Sequence, residues 1–530
     1  MTTLTGTGKL VRLILRRDRL LMLWIPILSV IPLSYVASIN EIYPTAAGRQ
    51  QYADASAGNA GFVALYGRPY GSSLGELVAW RSGFIPVIVG LISLLAVIRH
   101  TRTEEEAGRR ELLGSTVVGR HAGLAAALTT TFGANVVLAL LMGLALIGQG
   151  LPAAGSFALG AECAAAGWVF AAVGGLTAQL TDGAGSARGI AVGTLGAAYV
   201  LRIAGDLSGS GDGVLSWVSP IAWVVRIHAY GGDHWWLLSL AACLTAVLGM
   251  VAVALSARRD VGAGLLPARL GPATAAPGLR TPLALAWRLH RNLLAGWVAG
   301  FAVLGVVLGG LAKNIGDLAR DNVMQDILAR MGGTGALIDA YLASMMSLLG
   351  LIAAAYAIQA TLRLRSEESA LRAEPLLAAS VGRLRWAGSH ITFAVLGPAA
   401  ALTAAGLAGG LAHGLNTGDV GRDLPRVLAG AIVQLPAVWV LAAIAIALSG
   451  LLPRLVPAAW GALAVCLLLG LVGAALQLSQ GLMDVSPFTH IPKAPAAAVS
   501  AAPLVWLVVI AVAIATAGLT ALRRRDIPVI

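Results

Sequence analysis

Charge is scarce in this 530-residue chain. Asp, Glu, Lys and Arg make up 12% of it, against 58% hydrophobic residues, where soluble domains carry roughly 25% and 45–50%. With a mean hydropathy of +0.81, this excludes a soluble globular domain. Cysteine is nearly absent. Cys163, Cys243 and Cys466 all fall in apolar runs, which excludes a disulfide framework and a cysteine metal site. The eight His residues show no HExxH or comparable metal spacing. A phosphate-binding loop is missing too: "GTGKL" at 6–10 lacks the distal Gly and the Ser or Thr after Lys9. "GSSLG" at 71–75 matches the hydrolase G-x-S-x-G pattern only in letters, since that pattern works at a strand-to-helix turn with His and acid partners. The chain therefore reads as a non-enzyme, with no cofactor of its own.

What it has is apolar sequence in lengths that cross a bilayer, for which about 20 residues suffice. Twelve such segments lie near 20–39, 82–98, 122–148, 153–180, 189–205, 235–257, 292–312, 340–361, 386–411, 427–452, 456–476 and 502–522. The first lacks a small-residue cleavage site, so it is expected to stay in the mature protein. Twelve spans put both termini on one side, and the loops on that side hold 26 of the 37 Lys and Arg residues. By the positive-inside rule both termini are cytosolic, in a bacterial inner (plasma) membrane. The net charge of +12 then reflects topology and faces the lipid bilayer, not nucleic acid.

The scarce charge is concentrated. "RTEEEAGRRELLGSTVVGR" at 102–120 returns as "RSEESALRAEPLLAASVGR" at 365–383, with ten of nineteen positions identical at an offset of 263. Trp24 with Trp297, Arg188 with Arg454, "VSP" ending at Pro220 and Pro487, and "RRD" from Arg258 and Arg524 keep nearly the same offset. The chain is a tandem duplication: an all-α polytopic membrane protein of twelve transmembrane helices in two six-helix halves, 1–262 and 286–530, joined by a Pro-rich cytosolic linker at 263–285. Six spans per half make the halves parallel.

The charged blocks read as short cytosolic helices between spans 2 and 3 of each half. Glu105 with Arg109, Glu106 with Arg110 and Glu368 with Arg372 stand at i, i+4. Thr103 and Ser366 are placed as N-caps, and Pro375 is expected to end the second helix near Glu374. Residues 8–21 form a third such element, a basic interfacial helix. Topology asks only for Lys and Arg, so acids matched in both copies need another reason. Exposed Glu105 and Glu368 on a docking surface for a cytosolic partner supply it. Inside the spans, a carboxylate such as Glu162 costs about 2–3 kcal/mol to insert and is a candidate for the substrate pathway, with Gln434 at similar depth in span 10. Gly296, Gly300, Gly305 and Gly309 form small-residue packing faces on span 7. Asp317, Arg320, Asp321, Asp326 and Arg330, interleaved with apolar residues, suggest an amphipathic helix over the outer mouth.

The two halves, the "EExxxRxE" block after each second span, "SP" before each sixth and "RRD" after it resemble the ABC-2 type permeases of actinobacterial antibiotic exporters, the group that includes exporters of tetronasin and other polyketides. The resemblance implies the permease subunit of an ATP-binding-cassette exporter of hydrophobic or amphipathic small molecules. Two copies of a separate cytosolic ATPase would then bind ATP and Mg. It further implies that the charged blocks are coupling helices seated on those subunits through Glu104, Glu105, Arg109 and Glu111, and through Glu367, Glu368, Arg372 and Glu374. A proton-coupled secondary multidrug transporter is the rival. It calls for a short basic Gly-Asp-Arg-like loop between spans 2 and 3, where this chain has an acidic helix.

Overall fold

The computed structural model describes residues 3–19, 21–58, 60–114, 116–207, 214–260, 262–266, 273–274, 276–318, 333–472 and 479–525. Among them the chain is helical, with no strand, as expected where every backbone N–H and C=O in hydrocarbon must be bonded within its own segment. Among the described residues eleven helices are long and apolar enough to cross a membrane. The chain divides into two compact units, Met1–Gly271 and Pro272–Ile530.

In the first unit an amphipathic helix α1 (Thr7–Arg17) precedes the first span, α2 (Trp24–Ile42). The second span, α3 (Ile85–His100), breaks at Thr101 into two short helices, α4 (Arg102–Glu106) and α5 (Arg109–Gly114). Then follow α6 (Ala122–Ile147), α7 (Ala153–Leu180), α8 (Ala184–Leu207) and α9 (Leu237–Ser256). Helix α7 is the hub, packing on α3, α6, α8 and α9. Its run of Ala and Gly lets neighbouring backbones approach closely: a Cβ on Gly174 would meet the carbonyl oxygen of Leu94 at 2.7 Å.

The second unit comprises α10 (Pro282–Leu318), α11 (Gly333–Ser369), α12 (Glu374–Ala378), α13 (Arg383–Thr417), α14 (Val420–Ile432), α15 (Leu435–Leu451), α16 (Ala458–Val472) and α17 (Ala501–Arg524). Helices α10 and α13 pack along each other. Of the four span-7 glycines, Gly305 and Gly309 lie on that contact, against the backbone of Ala405 and Gly409, whereas Gly296 and Gly300 face open space. The small-residue face is therefore half as long as the sequence suggests. Five long apolar helices fall in this unit. The segment at 456–476 yields α16, of 15 residues, and residues 473–478 lie outside those described. So do most of the residues of the amphipathic helix expected near 315–330.

Two expected landmarks have other roles. Ser73 of "GSSLG" caps helix Leu74–Arg81: its Oγ accepts from the Glu76 amide at 3.3 Å and its own amide donates to Glu76 Oε2 at 2.8 Å, a capping box. The start of the linker is pinned, with the amides of Leu265 and Leu266 donating to the carbonyls of Gln179 and Leu180.

Candidate functional site

Each charged block is a turn, between the short helices α4 and α5 in the first unit and between the end of α11 and the short α12 in the second, because the chain enters the left-handed region in the middle of each. Gly108 has φ +68 and Leu371, at the matching repeat position, φ +58. An unbroken helix would pair i with i+4, but a left-handed residue shifts the phase and the observed partners are five apart. Arg109 Nε lies 2.6 Å from Glu104 Oε2, and Arg372 Nε 2.7 Å from Glu367 Oε2. The expected Glu105–Arg109, Glu106–Arg110 and Glu368–Arg372 pairs give way to these. Thr103 and Ser366 lie inside helices and cap nothing, and Pro375 opens α12 instead of closing a helix, a position where its missing N–H is harmless.

Glu105 and Glu368 are not exposed; each side chain is only 2% accessible. Glu105 sits among three guanidinium groups: Arg102 Nη1 at 2.8 Å, Arg110 Nη1 at 3.3 Å and Arg259, which reaches both carboxylate oxygens at 2.8 and 2.9 Å. Glu368 repeats the plan with Arg365 Nη1 at 2.9 Å and Arg525 Nη2 at 2.7 and 2.8 Å. Arg259 and Arg525 are the second arginines of the two "RRD" motifs. Each is also held through its carbonyl by the arginine that closes the charged block: Arg120 Nη2 donates to Arg259 O at 3.0 Å and Arg383 Nη1 to Arg525 O at 2.7 Å. The repeated motifs are thus one another's partners. In each unit a latch ties the turn after the second span to the end of the last span, and the buried, multiply hydrogen-bonded ion pair makes it stiff.

Around the first latch the contacts spread further. Arg102, fully buried, donates to the carbonyls of Asp182, Gly262 and Ala263. Glu106 accepts from the amide of Ala184 at the start of α8 at 3.2 Å, where a carboxylate suits the helix dipole. Arg188 donates to Thr103 Oγ1 at 2.9 Å. Glu104 also pairs with Arg17 of α1 at 2.8 Å. The hydrogen bond to Glu104 holds Arg109 above the usual arginine range, while burial pulls Arg110 below it. In the second unit Arg363 pairs with Glu367 at 2.7 Å. Glu106, Ala107, Arg109 and Glu111, and Ala370, Leu371 and Arg372, form the exposed tips; Glu374 is half-buried.

The polar residues at membrane depth lie apart from the latches. Glu162 is buried in α7 beneath the loop before α9, accepting from the Ala229 amide at 3.3 Å. Gln434, buried at the junction of α14 and α15, donates weakly to Gly430 O at 3.4 Å, and its Oε1 has no hydrogen-bond partner among the described residues. Among those residues no three His, Cys, Asp or Glu are grouped to hold a metal ion.

Comparison with known proteins places this many-span helical chain among transport subunits. Residues 279–523 match the family model described as "Multidrug efflux system permease Rv1217c, C-terminal domain". Over 527 residues, 99% of this chain and 95% of the relative, the sequence is 45% identical to the "Multidrug efflux system permease protein Rv1217c" of Mycobacterium tuberculosis (strain ATCC 25618 / H37Rv). This multi-pass membrane protein belongs to the family of the multidrug efflux permease Rv1217c.

Proposed function

We propose that the chain is the membrane-spanning permease of an ABC-2 type exporter. It extrudes hydrophobic or amphipathic compounds, antibiotics among them, from the bacterial cell, driven by ATP that a separate ATPase binds with Mg and hydrolyses. In this reading twelve spans form two parallel halves in the plasma membrane with both termini cytosolic, and one ATPase subunit seats on each charged turn. The observation that carries the reading is the recurrence of the same latch, Glu105 with Arg259 and Glu368 with Arg525, in both units. Two equal drive points are what a pair of identical ATPase subunits requires.

The buried glutamates do not touch the partner in this scheme; they position what does. The ATPase presses on the tips, at Ala107, Arg109 and Glu111 in one unit and at Ala370, Leu371 and Arg372 in the other. The latch passes that displacement to α9 and α17, because a stiff ion pair cannot stretch without exposing charge to a low-dielectric surrounding. Contacts from Glu106 and Thr103 carry it to α8 as well. Gln434, with an acceptor left over, and Glu162 are the polar points offered to substrate within the spans.

Inside-out membrane vesicles from the native host test this. Uptake of a fluorescent amphipathic dye is expected to need ATP, to stop with vanadate and to persist when a protonophore collapses the proton gradient. Uptake that needs only the gradient overturns the reading in favour of a proton-coupled transporter.

A further inference from the structure

The duplication contains its own control, and at one place the copies differ. In the first unit Arg110 lies over Gly123, so closely that a Cβ on Gly123 would meet its Nη1 at 2.8 Å. The matching positions in the second unit are Ala373 and Trp386, both buried and packed together. A large basic side chain over glycine has been exchanged for a large apolar one over alanine. The cavities beside them differ accordingly.

In the first unit the cavity measures about 320 Å³ and is roofed by α1 through Leu10, Leu13 and Ile14. Its charged lining is Arg17, Arg110 and Arg120 against Glu104, a balance of +2 with His100 counted neutral. The counterpart, about 280 Å³, carries Glu367 against Arg372 and balances to zero with His390 neutral. The roof is itself amphipathic: Leu13 is half exposed, and Lys9, Arg12 and Arg16 stand on the open surface. It is held in place by backbone bonds from Gly119 and His121 to the carbonyls of Thr5 and Thr3. Arg110 is largely shielded, its side chain 21% accessible, so an added anion meets a partly desolvated charge.

We infer that the cavity between α1, α5 and the start of α6 is a binding site for one anionic glycerophospholipid, its phosphate diester held by Arg17, Arg110 and Arg120 and its acyl chain lying along Leu10, Leu13 and Ile14. Guanidinium forks suit a phosphate, and a cavity of a few hundred Å³ takes the headgroup and the start of a chain. The apolar roof distinguishes a lipid from free phosphate. The second unit lacks the site, because Ala373 and Trp386 remove the central arginine. The inference uses the proposed topology only in placing α1 at the inner leaflet, and it stands whether or not an ATPase drives the protein.

The full chain, purified and delipidated in neutral detergent, is titrated by native mass spectrometry with dioleoyl phosphatidylglycerol, with phosphatidylcholine of the same chains, and with inorganic phosphate. The expected result is one phosphatidylglycerol per chain, held at least about five-fold more tightly than phosphatidylcholine and not displaced by millimolar phosphate. Arg110→Ala with Gly123→Trp, which copies the second unit, is expected to abolish the preference. Arg17→Gln, which leaves Glu104 its bond to Arg109, is expected to weaken binding roughly five-fold, the loss for one basic group at a membrane surface. Thermal unfolding of each variant reports on folding, and Arg17→Gln carries the test should the double variant not fold. Equal binding of the two lipids, displacement by phosphate, or an unchanged preference in the folded variants would overturn the site.

Discussion

Glu105 and Glu111 differ by six positions and by everything that decides what a mutation does. Glu105 is sealed among three arginines, so Glu105→Lys buries a fourth positive charge and is expected to cost about 3–5 kcal/mol or to abolish folding. Glu111→Lys, on the surface, is expected to change stability by no more than about 0.5 kcal/mol. Thermal unfolding of the purified variants in detergent measures both. Gln434→Leu runs the other way: it removes a buried acceptor without a partner among the described residues, which relieves about 1 kcal/mol or more, and it is expected to raise the unfolding temperature while changing which compounds are exported. At this scale the sequence singled out the recurrent acids but not where they point. The exposure expected for Glu105 and Glu368 rested on their charge, and charge says nothing about burial once arginines distant in sequence converge on it. Arg259 and Arg525 were visible as a second repeat at nearly the same offset; only the fold joins the two repeats.

At the scale of the elements the deciding feature is the left-handed turn. Gly108 adopts φ +68 at no steric cost, whereas Leu371 holds φ +58 with a side chain, a strain of roughly 1–2 kcal/mol for an L-residue. Leu371→Gly is expected to stabilise the second unit by about 0.5 kcal/mol, the part left after the glycine's own entropy. Because Leu371 is an exposed apolar tip, the same change is expected to weaken partner binding, and co-purification yield separates the two effects. The latch itself is tested by a double-mutant cycle in unfolding free energy. Glu105→Gln and Arg259→Gln are each expected to be strongly destabilising, and the double variant to cost less than their sum by about 1–3 kcal/mol. Helical spacing failed here for a definite reason: i, i+4 pairing assumes continuity, and Gly108 was the one local sign of a break. In the second copy that sign is absent, because Leu replaces Gly.

At the scale of the whole molecule, eleven of the twelve segments expected from hydropathy are long apolar helices among the described residues, and a shorter helix, Ala458–Val472, lies in the remaining segment. Apolar length survives folding because the bilayer dictates it; pairing between distant charges does not show in any window of sequence. The central claim is that the two tips receive an ATPase. Its most direct test is site-specific cross-linking in native host membranes, with single cysteines introduced at Ala107 and Ala370, both exposed, in a Cys243→Ser background that removes the exposed native thiol. Ala47→Cys, exposed in the segment between α2 and α3, serves as control. The expected result is that both tips, and not the control, capture the same polypeptide, and that its sequence carries a phosphate-binding loop. Failure of either tip to capture such an ATPase, in membranes that still export an amphipathic dye, would contradict the claim.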